Sequence, residues 1–263
     1  MEERVWLTEH GDRSGLDRQI LRTTVGSEVH GIAVLDTEDH DEMGVYVETP
    51  ETVLGIREGD GHYTARTQPE GHRSGAGDTD LTLYSLRRFL ALACTGHPTV
   101  LLPLFAPESD VLHITSIGHD LRAIAPQLLS RQAGHRFLGY MQGQIARVQG
   151  QDKRHVPNRP ELIAAYGFDT KYASHALRLA IQGVEVIQHG TLTLPMPKAR
   201  RRQVVAVKTG HVSKETALDW IKQYASILSE LLDRGAGPLP ERPDLDFINE
   251  WSVEAHTYAW GLR

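Results

Sequence analysis

Fold choice is narrowed most by one stretch, RTTVGSEVHGIAVLDTEDHDEMGVYV at 22–47. Its first four residues are β-branched or long and read as the end of a strand, and that strand runs straight into Gly26-Ser27. A glycine there lets the backbone approach a ligand, and the following amides and hydroxyl can hold phosphate oxygens. The acidic run LDTEDHDE then leads into MGVYVET, a second strand by its β-branched and aromatic content. Asp39 and Asp41 lie at that strand's entrance, where alternate residues of an extended chain point the same way and can share a cation. Asp-x-Asp also occurs at 78/80 and 244/246, so the triplet alone marks nothing; what sets 39/41 apart is the Gly-Ser turn upstream. Asp80 abuts another strand, LTLY, and is preferred as a third carboxylate, with Asp78 competing for the role. Three such acids beside an anion-binding turn suit two magnesium ions and a nucleoside triphosphate.

The rest of the chain supplies a frame for this constellation. A short helix is expected over 14–22, an aperiodic insertion rich in Gly, His, Thr and Arg over 55–79, and a helix in SLRRFLALACTG, ended by Gly96 and Pro98. Beyond about residue 115 the texture becomes helical: two helices within 118–150, the second with Phe137, Met141, Ile145 and Val148 at core spacing, one from Asp169 to about Gln182, and a long one over 213–234. The stretch 191–208 reads as a hairpin, and the tail with two tryptophans is expected to dock on the body. The expected class is α+β: a small mixed β-sheet domain with helices over 1–115, then a mostly helical domain over 116–263, with the site in the cleft between them.

Composition narrows the functional classes. No apolar run approaches the roughly 20 residues of a bilayer-spanning helix, and MEERVWLTEH lacks a basic-then-apolar leader, so the expectation is a soluble, cytoplasmic protein without a membrane partner. The single cysteine, Cys94, excludes an internal disulfide and reads as packing. A net charge of −6 leaves nucleic-acid contact to local basic segments, of which there are two: 153–159 (with Lys153, Arg154, His155 and Arg159) and KARRR at 198–202. In DTKYASHALRL, Lys171, Ser174, His175 and Arg178 fall within one polar sector of a helix that Asp169 or Thr170 can cap, opposite Tyr172, Ala173, Ala176, Leu177 and Ala180. Spacing alone allows either a solvated face or a phosphate-binding one.

The segment GSEVHGIAVLDTEDHDEMGVYV resembles the active-site signature of the DNA polymerase β-like nucleotidyltransferase superfamily, a Gly-Ser turn before an Asp-x-Asp pair with a third acid on a later strand. More narrowly it resembles the predicted nucleotidyltransferase family that includes the nucleotidyltransferase of RNA-repair operons. DLTLYSLRRFLALACTGHPTVLLPLF, FLGYMQGQIARV and YGFDTKYASHALRL are similar to that family's strand-helix unit, middle helix and second-domain helix. Departures are Glu38 beside Asp39 where the family carries a serine, His97-Pro98 for an Asn-Pro, and Leu102 for a glutamate.

The resemblance implies an enzyme of the EC 2.7.7 type that moves a nucleoside monophosphate from an NTP to a hydroxyl and releases pyrophosphate. Asp39, Asp41 and Asp80 are then the catalytic and metal-binding acids, for two magnesium ions or manganese in their place. Gly26, Ser27, Lys171, His175 and Arg178 are the expected nucleotide-binding residues. The acceptor stays open among an RNA end, reached through 153–159 and 198–202, a protein side chain, as in a toxin-like modifier, and a small molecule. A different class is a non-catalytic nucleotide or RNA sensor of the same fold, and three mutually repelling acids speak against it. A metal-dependent phosphohydrolase built on His119-Asp120 ranks below both, for want of further assignable ligands.

Overall fold

A computed structural model describes residues 5–34, 39–56, 59–151 and 159–262. Six strands, β1 (Thr8–Gly11), β2 (Gln19–Thr24), β3 (His40–Tyr46), β4 (His62–Arg66), β5 (Thr79–Ser85) and β6 (Val111–Ile114), form one sheet in the order β1-β4-β5-β3-β2-β6. The central pair β3/β5 is parallel and the other neighbours are antiparallel, so the sheet is mixed as expected. Around it lie α1 (Gly26–Val29), α2 (Pro50–Leu54), α3 (Leu86–Cys94), α4 (Leu102–Phe105), α5 (Ser116–Ala123) and α6 (Ala125–Leu128). The remaining helices are α7 (Gln132–Val148), α8 (Pro160–Tyr166), α9 (Thr170–His189), α10 (Lys198–Lys208), α11 (Lys214–Asp233) and α12 (Leu245–Ala259). The chain divides into two compact units, one of Met1–Cys94, Thr99–Leu128 and Pro243–Arg263, the other of Thr95–Pro98 and Leu129–Arg242.

In the first unit the period of two along β5 does the positioning. Thr79, Leu81, Leu83 and Ser85 are buried and alternate with half-buried Asp80, Thr82 and Tyr84. Leu81 and Leu83 pack with Tyr46, Tyr63 and Ala65 under Trp6 and Leu16, which fixes the strand's register and turns Asp80 to the other face. Cys94 is buried, and burial pushes its thiol up, as suits a packing residue.

The C-terminal tail returns to this unit through one buried acid. The Glu48 carboxylate accepts from the Leu86 backbone N–H at 3.1 Å and lies 3.1 Å from His256 Nε2 on α12, while Trp260 Nε1 donates to the Glu48 carbonyl at 2.8 Å. Burial alone would raise the Glu48 carboxyl; the His256 bond and further hydrogen bonds outweigh it and hold the group below its ordinary value.

In the second unit α9 is central. Fourteen of its 20 residues are buried, which leaves only a narrow polar stripe, and α7, α10 and α11 pack against it. Asp169 caps it, accepting from the Tyr172 N–H at 3.0 Å, and Ser213 likewise caps α11.

Three local expectations are corrected. The stretch 14–22 is a 3-10 turn, Arg13–Arg18, capped by Asp12, and β2 already begins at Gln19. The 55–79 segment is not wholly irregular, since it contributes β4. The expected hairpin at 191–208 is a loop followed by α10, because Val204 and Val207, strand formers by propensity, bury one helical face within the second unit.

Replacing Glu48 by Leu strands the Leu86 N–H and the His256 imidazole in the interior. It is expected to lower unfolding stability by about 3 kcal/mol in denaturant titrations, at about 1–3 kcal/mol per buried group left unpaired. Because the native Glu48 carboxyl titrates below 4.5, its contribution is complete above that pH and is lost as pH falls through the native value. Glu48→Gln is therefore expected to unfold with a shallower dependence on pH in that acid window.

Candidate active site

The parallel register of β3 and β5 sets Asp41 directly opposite Asp80, and paired residues of neighbouring strands project from the same face. Asp39 stands two residues before Asp41 on the extended entry to β3 and shares that side. One carboxylate oxygen from each of Asp39, Asp41 and Asp80 lies within 4.8 Å of the others, and all three residues are half-buried. Among the described residues no other group of three or more His, Cys, Asp or Glu side chains gathers in this way, so His119 and Asp120 on α5 belong to none.

Asp80 is aimed by the segment read as an insertion. Gln68 Nε2 donates to Asp80 Oδ1 at 2.8 Å, Ser74 Oγ donates to Oδ2 at 2.8 Å, and Arg66 Nε stands 3.6 Å from Oδ1. The rival Asp78 is occupied in a turn, accepting from the Gly75 N–H at 2.9 Å and from Thr67 Oγ1 at 3.4 Å. It is Asp80 that joins Asp39 and Asp41.

Gly26 and Ser27 open α1 immediately after β2, beside Asp41. The Val25 N–H donates to the Asp41 carbonyl at 2.8 Å, and Gly26 has φ +66°, where a Cβ would fall 2.1 Å from Asp41 Oδ2. Conformation and space both call for glycine there. A second tie comes from His40, whose Nδ1 is 2.6 Å from Glu28 of α1 and whose Nε2 is 3.3 Å from Glu42 of β3. The Glu42 bond raises the imidazole's pKa, burial opposes it, and Glu28 raises it further. Arg22 Nε completes this cluster, 3.6 Å from Glu42.

The donor set of the triad is three carboxylate oxygens with no sulfur or imidazole, which fits a hard divalent cation such as magnesium or manganese. Like charges held this close in a half-buried setting repel unless a cation joins them.

In the second unit Lys171, His175 and Arg178 form a half-buried stripe on α9. Ser174, expected in the same sector, is instead fully buried and bonds back to the Lys171 carbonyl at 2.9 Å. Burial pushes the Arg178 guanidinium down to about 10, and its Nη1 donates to Gln182 Oε1 at 3.0 Å. His175 titrates well below 6.5, first through burial and then through Arg178, Lys171, Lys208 and Arg159. Arg159 and Lys208 were not singled out with this stripe from the sequence, because they come from other elements and no spacing links them to α9. Arg147, on α7, belongs to the same neighbourhood, with its guanidinium carbon 5.5 Å from the Tyr172 ring centroid.

Of the basic segments, 198–202 opens α10 with Lys198, Arg200 and Arg202 exposed and Arg200 bonded to the Tyr224 hydroxyl. In the other, residues 153–158 lie outside the described residues and Arg159 alone is described. No helix among the described residues is long and apolar enough to cross a membrane.

Comparison with known proteins adds a family to this geometry. Residues 7–254 match the family model described as RlaP, RNA repair pathway DNA polymerase beta family. No curated protein matches the chain. Among solved structures it is similar to a nucleotidyltransferase-like protein from Exiguobacterium sibiricum 255-15, with 11% identity, coverage of 92% of this chain and 72% of that one, and a TM-score of 0.30.

Two outcomes follow from the local geometry. Gly26→Ala is expected to cost about 1–2 kcal/mol for the left-handed backbone and to displace the Asp41 carboxylate, so that thermal melts with and without magnesium are expected to differ less for the variant than for the wild type. His175, neutral in the native state, takes up a proton more readily when unfolded, so its environment favours folding above 6.5 and progressively less as pH falls below it. His175→Gln is expected to flatten the acid side of the stability profile, measured by denaturant titration at a series of pH values.

Proposed function

The chain belongs to the RNA repair pathway DNA polymerase beta family, of polymerase β-like nucleotidyltransferases, and we propose that it moves a nucleoside monophosphate from an NTP to a hydroxyl acceptor in a metal-dependent reaction. The observation that carries this reading is the convergence of Asp39, Asp41 and Asp80 to within 4.8 Å beside the Gly26 turn.

Each residue has a role that its surroundings suit. Asp39, Asp41 and Asp80 would together hold magnesium. Bound there, magnesium would lower the pKa of the attacking hydroxyl and offset charge on the leaving pyrophosphate. Asp80, oriented by Gln68, Ser74 and Arg66, accepts the acceptor's proton at a carboxylate oxygen. The acceptor oxygen forms its bond to the α-phosphorus as the bond from that phosphorus to the bridging oxygen breaks, and pyrophosphate leaves with that oxygen. In the first unit Gly26 and Ser27 receive phosphate oxygens at the turn, and within the second unit Lys171, His175 and Arg178 are the residues whose chemistry suits phosphate. An RNA end is the acceptor best matched to the exposed cations at the start of α10 and to the family's description. The setting that goes with this reading is the cytoplasm.

The test is transfer of label from each NTP, with magnesium, to RNA, protein and small-molecule acceptors, with pyrophosphate release followed in parallel. Asp39→Ala and Asp41→Ala are expected to reduce transfer about a hundredfold or more, with folding intact and the metal-free protein slightly stabilised by relief of repulsion. Retained transfer, or loss of fold in place of activity, overturns the assignment. A wild-type protein that binds NTP yet releases no pyrophosphate with any acceptor is a sensor instead.

A further inference from the structure

We propose that Ser74 is an internal acceptor: the chain transfers a nucleoside monophosphate from an NTP to the Ser74 hydroxyl of the same molecule, which forms a phosphodiester on the loop beside the acid triad. This rests on the transferase reading above and adds to it a substrate that lies within the chain.

A hydroxyl becomes a nucleophile when a base stands within hydrogen-bond reach of its proton. Ser74 meets that condition at the acid assigned the role of base, since its Oγ donates to Asp80 Oδ2 at 2.8 Å. Gln68 fixes the direction of that proton. Its side chain is buried, and its Nε2 donates to Ser74 Oγ at 2.5 Å and to Asp80 Oδ1 at 2.8 Å. With Oγ accepting from Gln68, its own proton is left for Asp80. Among the described residues Ser74 is the hydroxyl bonded to Asp80; that of nearby Thr67 is turned to Asp78 at 3.4 Å and accepts from the Thr79 N–H at 2.8 Å.

The backbone holds Ser74 in place and leaves it accessible. The excursion closes at its base, where the Thr67 N–H donates to the Thr79 carbonyl at 3.1 Å. Ser74 lies between two turns, one closed by the His72 N–H on the Pro69 carbonyl at 3.1 Å, the other by the Asp78 N–H on the Gly75 carbonyl at 3.0 Å. Ser74 is half-buried, while Gly71, His72, Arg73, Ala76 and Gly77 are exposed. At Gly71 and Gly77 no described atom beyond their chain neighbours lies within 4 Å of the place of a Cβ, so both flanks of the loop face open space. A tethered hydroxyl already at the base reacts without the entropy cost of bringing in a separate acceptor. In the step Ser74 Oγ forms its bond to the α-phosphorus of the NTP, Asp80 Oδ2 takes the Oγ proton, the bond from that phosphorus to the bridging oxygen breaks, and pyrophosphate leaves with that oxygen. The product has no proton on Oγ to donate, so the modified chain loses one of the two hydrogen bonds that aim Asp80, and its transfer to external acceptors falls.

The test incubates the full chain with magnesium and each NTP in turn, labelled at the α-phosphate, and then maps the label by mass spectrometry. Trypsin cleaves after Arg73 and leaves Ser74 at the start of the peptide 74–87, where fragmentation separates it from Thr79, Thr82, Tyr84 and Ser85. At most one nucleoside monophosphate per chain is expected, on Ser74, acquired with a first-order rate constant that dilution of the protein leaves unchanged. Ser74→Ala is expected to lose the label, Ser74→Thr to keep it at a reduced rate, and Asp41→Asn, like the wild type in chelator, to acquire none. The map is made on the wild type and so does not depend on how the variants fold. Label on another residue in its place, no label on Ser74, or a rate constant that rises with protein concentration overturns the proposal. Pyrophosphate release with external acceptors, followed in parallel, separates the two readings: a chain that releases it while Ser74 stays bare removes this inference alone, and one that releases none with any acceptor removes the transferase reading as well.

Discussion

Two like charges set side by side by backbone pairing are the constraint from which the rest of the first unit follows. Parallel alignment of β3 with β5 leaves Asp41 no choice but to face Asp80, because register is fixed further along by buried Leu81 and Leu83. The hydrophobic face of the sheet thus determines the geometry of its acidic end. Repulsion between the carboxylates is tolerated because the fold holds both residues: Asp41 through the Val25 amide on its main-chain carbonyl and the close approach of Gly26 to its carboxylate, and the Asp80 carboxylate through Gln68 and Ser74. A site that keeps its charges apart by less than their preferred distance is prepared for cations before any arrive.

The second unit solves a matching problem of opposite sign. Its central helix, buried over most of its surface, presents Lys171, His175 and Arg178, and cations from three neighbouring elements close on the same region. Each unit of this nucleotidyltransferase therefore concentrates one sign of charge, carboxylate in the first and guanidinium and ammonium in the second.

Much of this was legible in the sequence, and the reasons differ by residue. The acids at 39 and 41 were readable because alternation on an extended segment is a two-residue rule, and Asp80 because it abuts the strand LTLY. That Asp80 and not Asp78 joins them depended on Gly75 and Thr67, which engage Asp78 through a turn that no local pattern announces. The helix over DTKYASHALRL carried both its cap and its stripe in plain view, yet Ser174 was misassigned to the polar side because a serine hydroxyl can bond to its own helix backbone. Lys208 escaped, and Arg159 was read only as part of the 153–159 segment, because their nearness to α9 is purely tertiary. Valine-rich α10 read as strand for the same reason: packing, not propensity, decided it.

The segment between α2 and β5 repays a last look. It contributes an antiparallel strand on one flank of β5 and then, from the loop that follows, the two side chains that grip both oxygens of Asp80. The aim of an acid on a central strand is thereby delegated to a peripheral excursion of the chain. Such an excursion can lengthen, shorten or change composition while β3 and β5 keep their pairing, so the direction in which this carboxylate points can drift independently of the sheet that carries it.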